Sequence, residues 1–329
     1  MKNQGALTVI AVILTCLPVV SLRAQPAAVQ QLENTQQAQQ QNSLLSPLAP
    51  GDTAPELYPG ENSDIGPQRI LKLNSRPTPW EVFFDSQVFY TNNATFTDTP
   101  KTASGVLVNT AQVSYSPAPS KLGPGAFAPS VGFTSQWYNY GRRSLHPLSF
   151  DAQTVFLNGK YNLGNHWQIF GGLNYTRLLK PNYEESYVEF SPDLGVQRFF
   201  SIRDNMLFIA GDEVAYHFTY VPPVPGSPNN INNRLDESVN LAFAWQVTGH
   251  LIAQSYYRFE YSYYRQDTLL IASRSDYLNT FGVTLAWYFN KSASLRTFFN
   301  YNAKQSSDPF VSDYHEYDGG FGASLDLKF

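Results

Sequence analysis

The sequence predicts an all-β fold: a transmembrane antiparallel up-and-down β-barrel of about twelve strands, preceded by a disordered N-terminal linker. Three observations predict it. Apolar and polar residues alternate with period two from Trp80 to the final Phe329, and such alternation places one residue class on each face of a sheet. Charged residues are only 15% of the 329, while Tyr 21, Phe 23 and Trp 5 stand against Met 2; ordinary soluble chains are about 25% charged. After residue 24 no stretch reaches the roughly 20 consecutive apolar residues of a spanning helix. Together these exclude a helical membrane protein and argue against a soluble helical enzyme.

The chain opens on a segment with the build of a secretory signal, residues 1–24. Lys2 supplies the positive start, Ala6–Val20 is mostly apolar, and Ala24 offers a small residue before a cut at Gln25. Cys16 is the only cysteine and lies inside this leader, so the cut chain has neither disulfides nor thiol chemistry. Loss of Lys2 and Arg23 leaves 20 basic against 26 acidic residues, a net charge of −6. Nucleic-acid binding needs a basic surface and is excluded as a function.

Residues 25–79 differ in composition. Gln30, Gln31, Gln36, Gln37, Gln39, Gln40 and Gln41 crowd one stretch, followed by Pro47, Pro50, Pro55, Pro59, Pro67, Pro77 and Pro79. Gln, Ala and Leu are fair helix formers, so a short helix over 29–45 is compatible with the sequence. Its apolar positions are too few for an amphipathic face. The segment reads as a solvated periplasmic linker without a core of its own; a tether and an insert into the barrel mouth are the two functional alternatives.

Residues 80–329 form the barrel. Val239, Leu241, Phe243, Trp245 and Val247 share one face, and Asn240, Ala242, Ala244, Gln246 and Thr248 the other. Phe281, Val283, Leu285 and Trp287 repeat the pattern against Gly282, Thr284 and Ala286. A soluble sandwich buries its apolar face and puts charge outside. Here the second face is small and uncharged, and the apolar one is edged by Trp and Tyr, which suits acyl chains outside and water within. Backbone groups in hydrocarbon must all be paired, so such a sheet has to close. Strands are predicted near 80–91, 105–116, 130–140, 152–163, 166–178, 187–200, 205–220, 237–248, 249–265, 276–289, 293–304 and 317–329. Their connections alternate between tight turns (Leu163-Gly164-Asn165, Thr248-Gly249-His250, Asn290-Lys291-Ser292) and longer polar loops. One connection, Ser116–Pro129, is long on the short-turn side; it is either an insertion or a sign of a miscounted strand.

The chain ends with Phe321, Ala323, Leu325, Leu327 and Phe329 at every second place. This resembles the C-terminal signature of bacterial outer-membrane β-barrels, including the porin-like ones, without selecting one family. The resemblance implies residence in the outer membrane, insertion by the barrel-assembly machinery through Phe321, Leu325, Leu327 and Phe329, contact with outer-membrane lipid and lipopolysaccharide, and both barrel termini in the periplasm.

Parity aims Glu81, Asp85, Lys160, Glu189, Asp193, Glu213, Arg258, Glu260, Arg296, Asp326 and Lys328 inward. Charge on a lipid face costs roughly 2–4 kcal/mol for Arg or Lys at the midplane, so the lumen is their cheap address. These residues are the candidate pore lining. Lining a narrow pore for small polar solutes is the favoured reading; pairing across a filled, non-conducting structural or surface-interaction barrel is its alternative. Asp212 breaks the parity, and Gly211 suggests a bulge that re-aims it; Arg198 also points outward, near a strand end. A lipid hydrolase is the third reading. Outer-membrane lipases carry a His with a Ser on the outer wall, whereas His146, His166, His250 and His315 fall in turns or loops and His217 faces inward. Asp308, Asp313, His315, Glu316 and Asp318 read as a solvated acidic loop, without the spacing of a Ca²⁺ loop; Arg142 and Arg143 read as a solvated pair. No catalytic residue, metal site or cofactor is expected.

Overall fold

The computed structural model describes residues 18–43, 78–164, 166–222, 228–265, 273–309 and 311–329. Most of the expected signal segment and the Pro-rich part of the expected linker lie outside these residues. Ahead of the barrel stands one helix, α1 (Pro18–Ser43). The strands are β1 (Trp80–Thr91), β2 (Ser104–Tyr115), β3 (Ser120–Leu122), β4 (Gly125–Tyr140), β5 (Phe150–Gly164), β6 (Trp167–Leu179), β7 (Glu185–Arg203), β8 (Met206–Tyr220), β9 (Arg234–Gln246), β10 (Leu251–Tyr264), β11 (Arg274–Tyr288), β12 (Ala293–Ser306) and β13 (Tyr314–Lys328).

Every pairing is antiparallel, and each long strand pairs with its sequence neighbours. The first and last strands close the ring, with Glu81 opposite Lys328 and Thr91 opposite Asp318. β2 pairs directly with β4, Val106 to Tyr140, so β3 stands outside the closed wall of twelve strands. The long connection after β2 is therefore an insertion. β3 folds back on the start of β4 as a hairpin, with Gly123 (φ +57°) and Pro124 at its tip. Only glycine enters that conformation without strain.

Alternation along each strand sets which side chains meet which solvent. Trp80, Trp167, Trp245 and Trp287 stand exposed on the outer surface toward the turn rim. Tyrosines crowd it toward the loop rim, where Tyr277 packs on Tyr261 at 5.3 Å and Tyr317 on Tyr301 at 5.1 Å. These two belts match the aromatic girdles of a membrane barrel.

The inner surface is less uniformly polar than the alternation suggests. Val106, Val108, Tyr138, Tyr140, Phe150, Leu178 and Tyr187 are buried inside the loop half of the barrel. Glycines elsewhere make room for inward rings. A Cβ on Gly282 would lie 2.1 Å from the Tyr256 ring, and one on Gly195 would lie 2.3 Å from Phe170.

Two sequence expectations are corrected here. No bulge re-aims Asp212: it pairs in unbroken register with Val196 and Val239 and stays exposed on the outer face. Glu316 and Asp318 do not belong to a solvated loop, because β13 begins at Tyr314 and turns both inward. The same early start puts His315 on the outer face, where its ring stacks on Tyr301 and its Nδ1 lies 3.0 Å from the Tyr301 hydroxyl.

Candidate functional site: a lumen filled by its own helix

The stretch that composition marks as the start of a linker is a helix inside the barrel. Ala27, at its loop-rim end, is buried against Phe96 and Tyr314. Val29 and Leu32 join the apolar cluster of the loop half. Gln40 lines a small cavity with Phe170, Gly211 and Asn240, further toward the turn rim. Residues 27–40 thus run down the lumen, about 20 Å of helix at 1.5 Å per residue.

Polar contacts join this helix to much of the ring. Asn34 Nδ2 donates to Glu316 Oε2 at 3.2 Å, and Gln37 Nε2 donates to Glu260 Oε2 at 3.2 Å. Gln39 Nε2 donates to Thr110 Oγ1 at 3.2 Å, while Gln136 Nε2 donates to Gln39 Oε1 at 3.2 Å. Lys304 Nζ donates to Gln30 Oε1 at 3.4 Å. Glu33 makes the one helix-to-wall ion pair among the described residues, with Arg234 Nη2. The glutamines that give no amphipathic signal are the groups a polar lumen can hold.

The inward set is distributed among local clusters. Arg234 is the hub of the largest, with Nε 2.8 Å from Asp236 Oδ2. His217 lies between two carboxylates, Nδ1 2.9 Å from Glu189 Oε1 and Nε2 2.9 Å from Asp236 Oδ2. Both contacts are hydrogen bonds when both nitrogens carry protons. The Tyr187 hydroxyl donates to the other Glu189 oxygen. Next along the ring, Arg258 Nη2 lies 2.8 Å from Glu260 Oε2. Lys304 Nζ lies 2.9 Å from Asp276 Oδ2. Arg296 grips Asp85 with both Nη atoms, Nη2 to Oδ2 at 2.8 Å.

The remaining residues of the inward set are less enclosed. Asp193 accepts from Asn174 Nδ2 at 3.0 Å, and Glu213 lines the same small cavity as Gln40. Near the turn rim, Lys328 Nζ lies 3.3 Å from Asp326 and 4.0 Å from Glu81, and Lys160 is exposed. Phe321, Leu325 and Phe329 stand exposed on the outer face or end.

Reading by alternation does not reach several members of these clusters. Arg234 and Asp236 precede the expected start of their strand, and Glu33 sits in the expected linker. Asp276 and Lys304 have inward parity within predicted strands, so the signal for them is present in the sequence. The histidines form no lipase-like site: His217 serves the ion cluster, and the bonded partner of outward His315 is a phenol rather than a serine.

No family model and no curated protein matches this chain in sequence. Solved structures do match in shape. The translocator domain of the autotransporter NalP from Neisseria meningitidis aligns over 94% of this chain and 99% of its own, with TM-score 0.51 and 10% identity. An outer membrane channel from Pseudomonas putida F1 aligns over 76% and 96%, with TM-score 0.50 and 9% identity. The NanC porin aligns over 74% and 100%, with TM-score 0.43 and 9% identity. The fold is that of porin-like outer-membrane barrels. At these identities the likeness is one of fold, and it singles out no family within it. The names borne by these neighbours are those of pores, channels and translocators.

Proposed function

We propose that this protein is a pore of the bacterial outer membrane for small polar solutes, held shut by its own N-terminal helix. In this reading the leader directs export, the terminal Phe329 pattern engages the barrel-assembly machinery, and the segment between α1 and β1 lies in the periplasm. One observation carries the proposal: residues 27–40 occupy the lumen and meet the wall largely through hydrogen bonds. Removing such a segment uncovers Glu260, Thr110, Gln136, Glu316 and Arg234, groups that water solvates readily. A permanently filled structural barrel has less reason to line its interior this way, since apolar packing stabilises a core without needing every polar group satisfied.

The test is single-channel recording in planar bilayers. The chain beginning at Gln25 is expected to be silent or to open rarely. A variant lacking residues 25–43 is expected to give discrete, long-lived steps. Absence of steps from the shortened barrel, with its wall intact, overturns the pore and leaves the non-conducting barrel.

A further inference from the structure

The buried acids of the lumen are not all neutralised in the same way. Asp85, Asp236, Glu260 and Asp276 are each paired with an Arg or Lys within 3 Å. Glu316 and Asp318 are equally buried, at 0% and 4% exposure. They sit two residues apart on the inward face of β13, and no ion pair joins either to a basic side chain among the described residues.

Glu316 accepts from Thr91 Oγ1 at 2.8 Å, Asn302 Nδ2 at 3.1 Å and Asn34 Nδ2 at 3.2 Å. Asp318 Oδ1 is buried with no hydrogen-bond partner. Across from this wall, Gln31 of α1 is 1% exposed, and its Oε1 is likewise without a partner. Both residues line one cavity of about 20 Å³, whose other walls include Gln87, Asn300 and Asn302. That is room for one water-sized occupant.

Two unpartnered acceptor oxygens from opposite sides of one cavity cannot satisfy each other. Two carboxylates without a base also leave negative charge in a buried site, which is costly. A cation supplies what both lack. We propose that Glu316, Asp318 and Gln31 hold a hard divalent cation of the Ca²⁺ class, which fastens α1 to β13. The donors are all oxygens, and carboxylates with amide carbonyls are the set that Ca²⁺ takes in flexible geometry. The inference is independent of conduction, since a fastened helix serves a filled barrel equally well.

The experiment uses the chain from Gln25 to Phe329 folded in detergent and stripped with chelator. Ca²⁺ binding is measured by titration calorimetry, and Tb³⁺ binding by luminescence sensitised through tyrosine, with Tyr256 on the cavity wall. One saturable ion per chain, with Ca²⁺ displacing Tb³⁺, is expected. D318N and E316Q keep side-chain shape and are expected to abolish binding while the barrel still migrates as folded on unheated gels. Should those variants fail to fold, Q31E is the second arm: a third carboxylate is expected to tighten binding about tenfold, within the range that single changes at metal sites produce. No saturable binding at millimolar Ca²⁺, or binding unchanged in these variants, overturns the proposal and assigns the pair a shared proton with water in the cavity.

Discussion

The loop half and the turn half of the lumen are built from the same alternation, yet they end in different states. In the loop half, Tyr138 and Tyr187 are 1% exposed, Arg234 is 4% exposed, and the helix supplies Val29, Leu32 and Glu33 to fill the space between them. In the turn half, the Lys328 side chain is 56% exposed and Glu81 32%, and Lys160 is also exposed. The Arg296–Asp85 pair, with side chains 9% and 1% exposed, marks the boundary. The closure is therefore local. It sits where wall aromatics and a helix converge, and the turn half forms an open vestibule whose charges meet water.

This contrast can be broken at its centre. Arg234→Ala removes the partner of Glu33 and Asp236 at once. Breaking a buried pair by one partner typically costs about 3–5 kcal/mol, so the largest loss of stability is expected here, read as a fall in the temperature at which the folded gel band disappears. An unchanged transition would mean that the hub is solvated and the loop half is not closed by it. Gly282→Val comes next. Its side chain would overlap the Tyr256 ring, and overpacking costs about 1–3 kcal/mol. Asp212→Val acts in the other direction. A carboxylate facing lipid costs something less than the roughly 2–4 kcal/mol of a midplane Arg or Lys, so this variant is expected to unfold at higher temperature; a lower one would show that another chain covers Asp212. Lys160→Gln, in the vestibule, is expected to change stability by less than about 0.5 kcal/mol. In the barrel lacking residues 25–43 it is expected to shift ion preference toward cations, measured as reversal potential in a salt gradient. No shift there would remove Lys160 from the path.

The strands and the two rims were legible in the sequence because lipid enforces them. Residues such as Leu241, Phe243 and Trp245 can face only outward, and the tight turns after Leu163 and Thr248 mark one rim. The insertion after Ser116 was legible as an irregularity, and β3 explains it. The helix in the lumen was not legible, for a physical reason. A helix that packs on an apolar core advertises itself by an apolar stripe, whereas one that packs in a polar channel needs no stripe. Gln30, Gln37 and Gln39 carry no such signal, although each finds a partner on the wall. The charge clusters were half legible. Parity aims Asp85, Glu260 and Arg296 correctly, but Arg234, Asp236, Glu316 and Asp318 lie where strands continue into stretches that composition assigns to loops.

The direction of α1 has a consequence for how the molecule is made. Its first residues lie at one opening of the ring, its last residues lead toward the other, and β1 follows it in the chain. The finished protein is a thread through a hoop closed by the β1–β13 seam. Either the hoop is sewn shut around a thread already in place, or the thread's leading end is drawn through afterwards. Any bulky body attached ahead of Ala27 allows only the first order, so a folded tag placed there would tell the two routes apart.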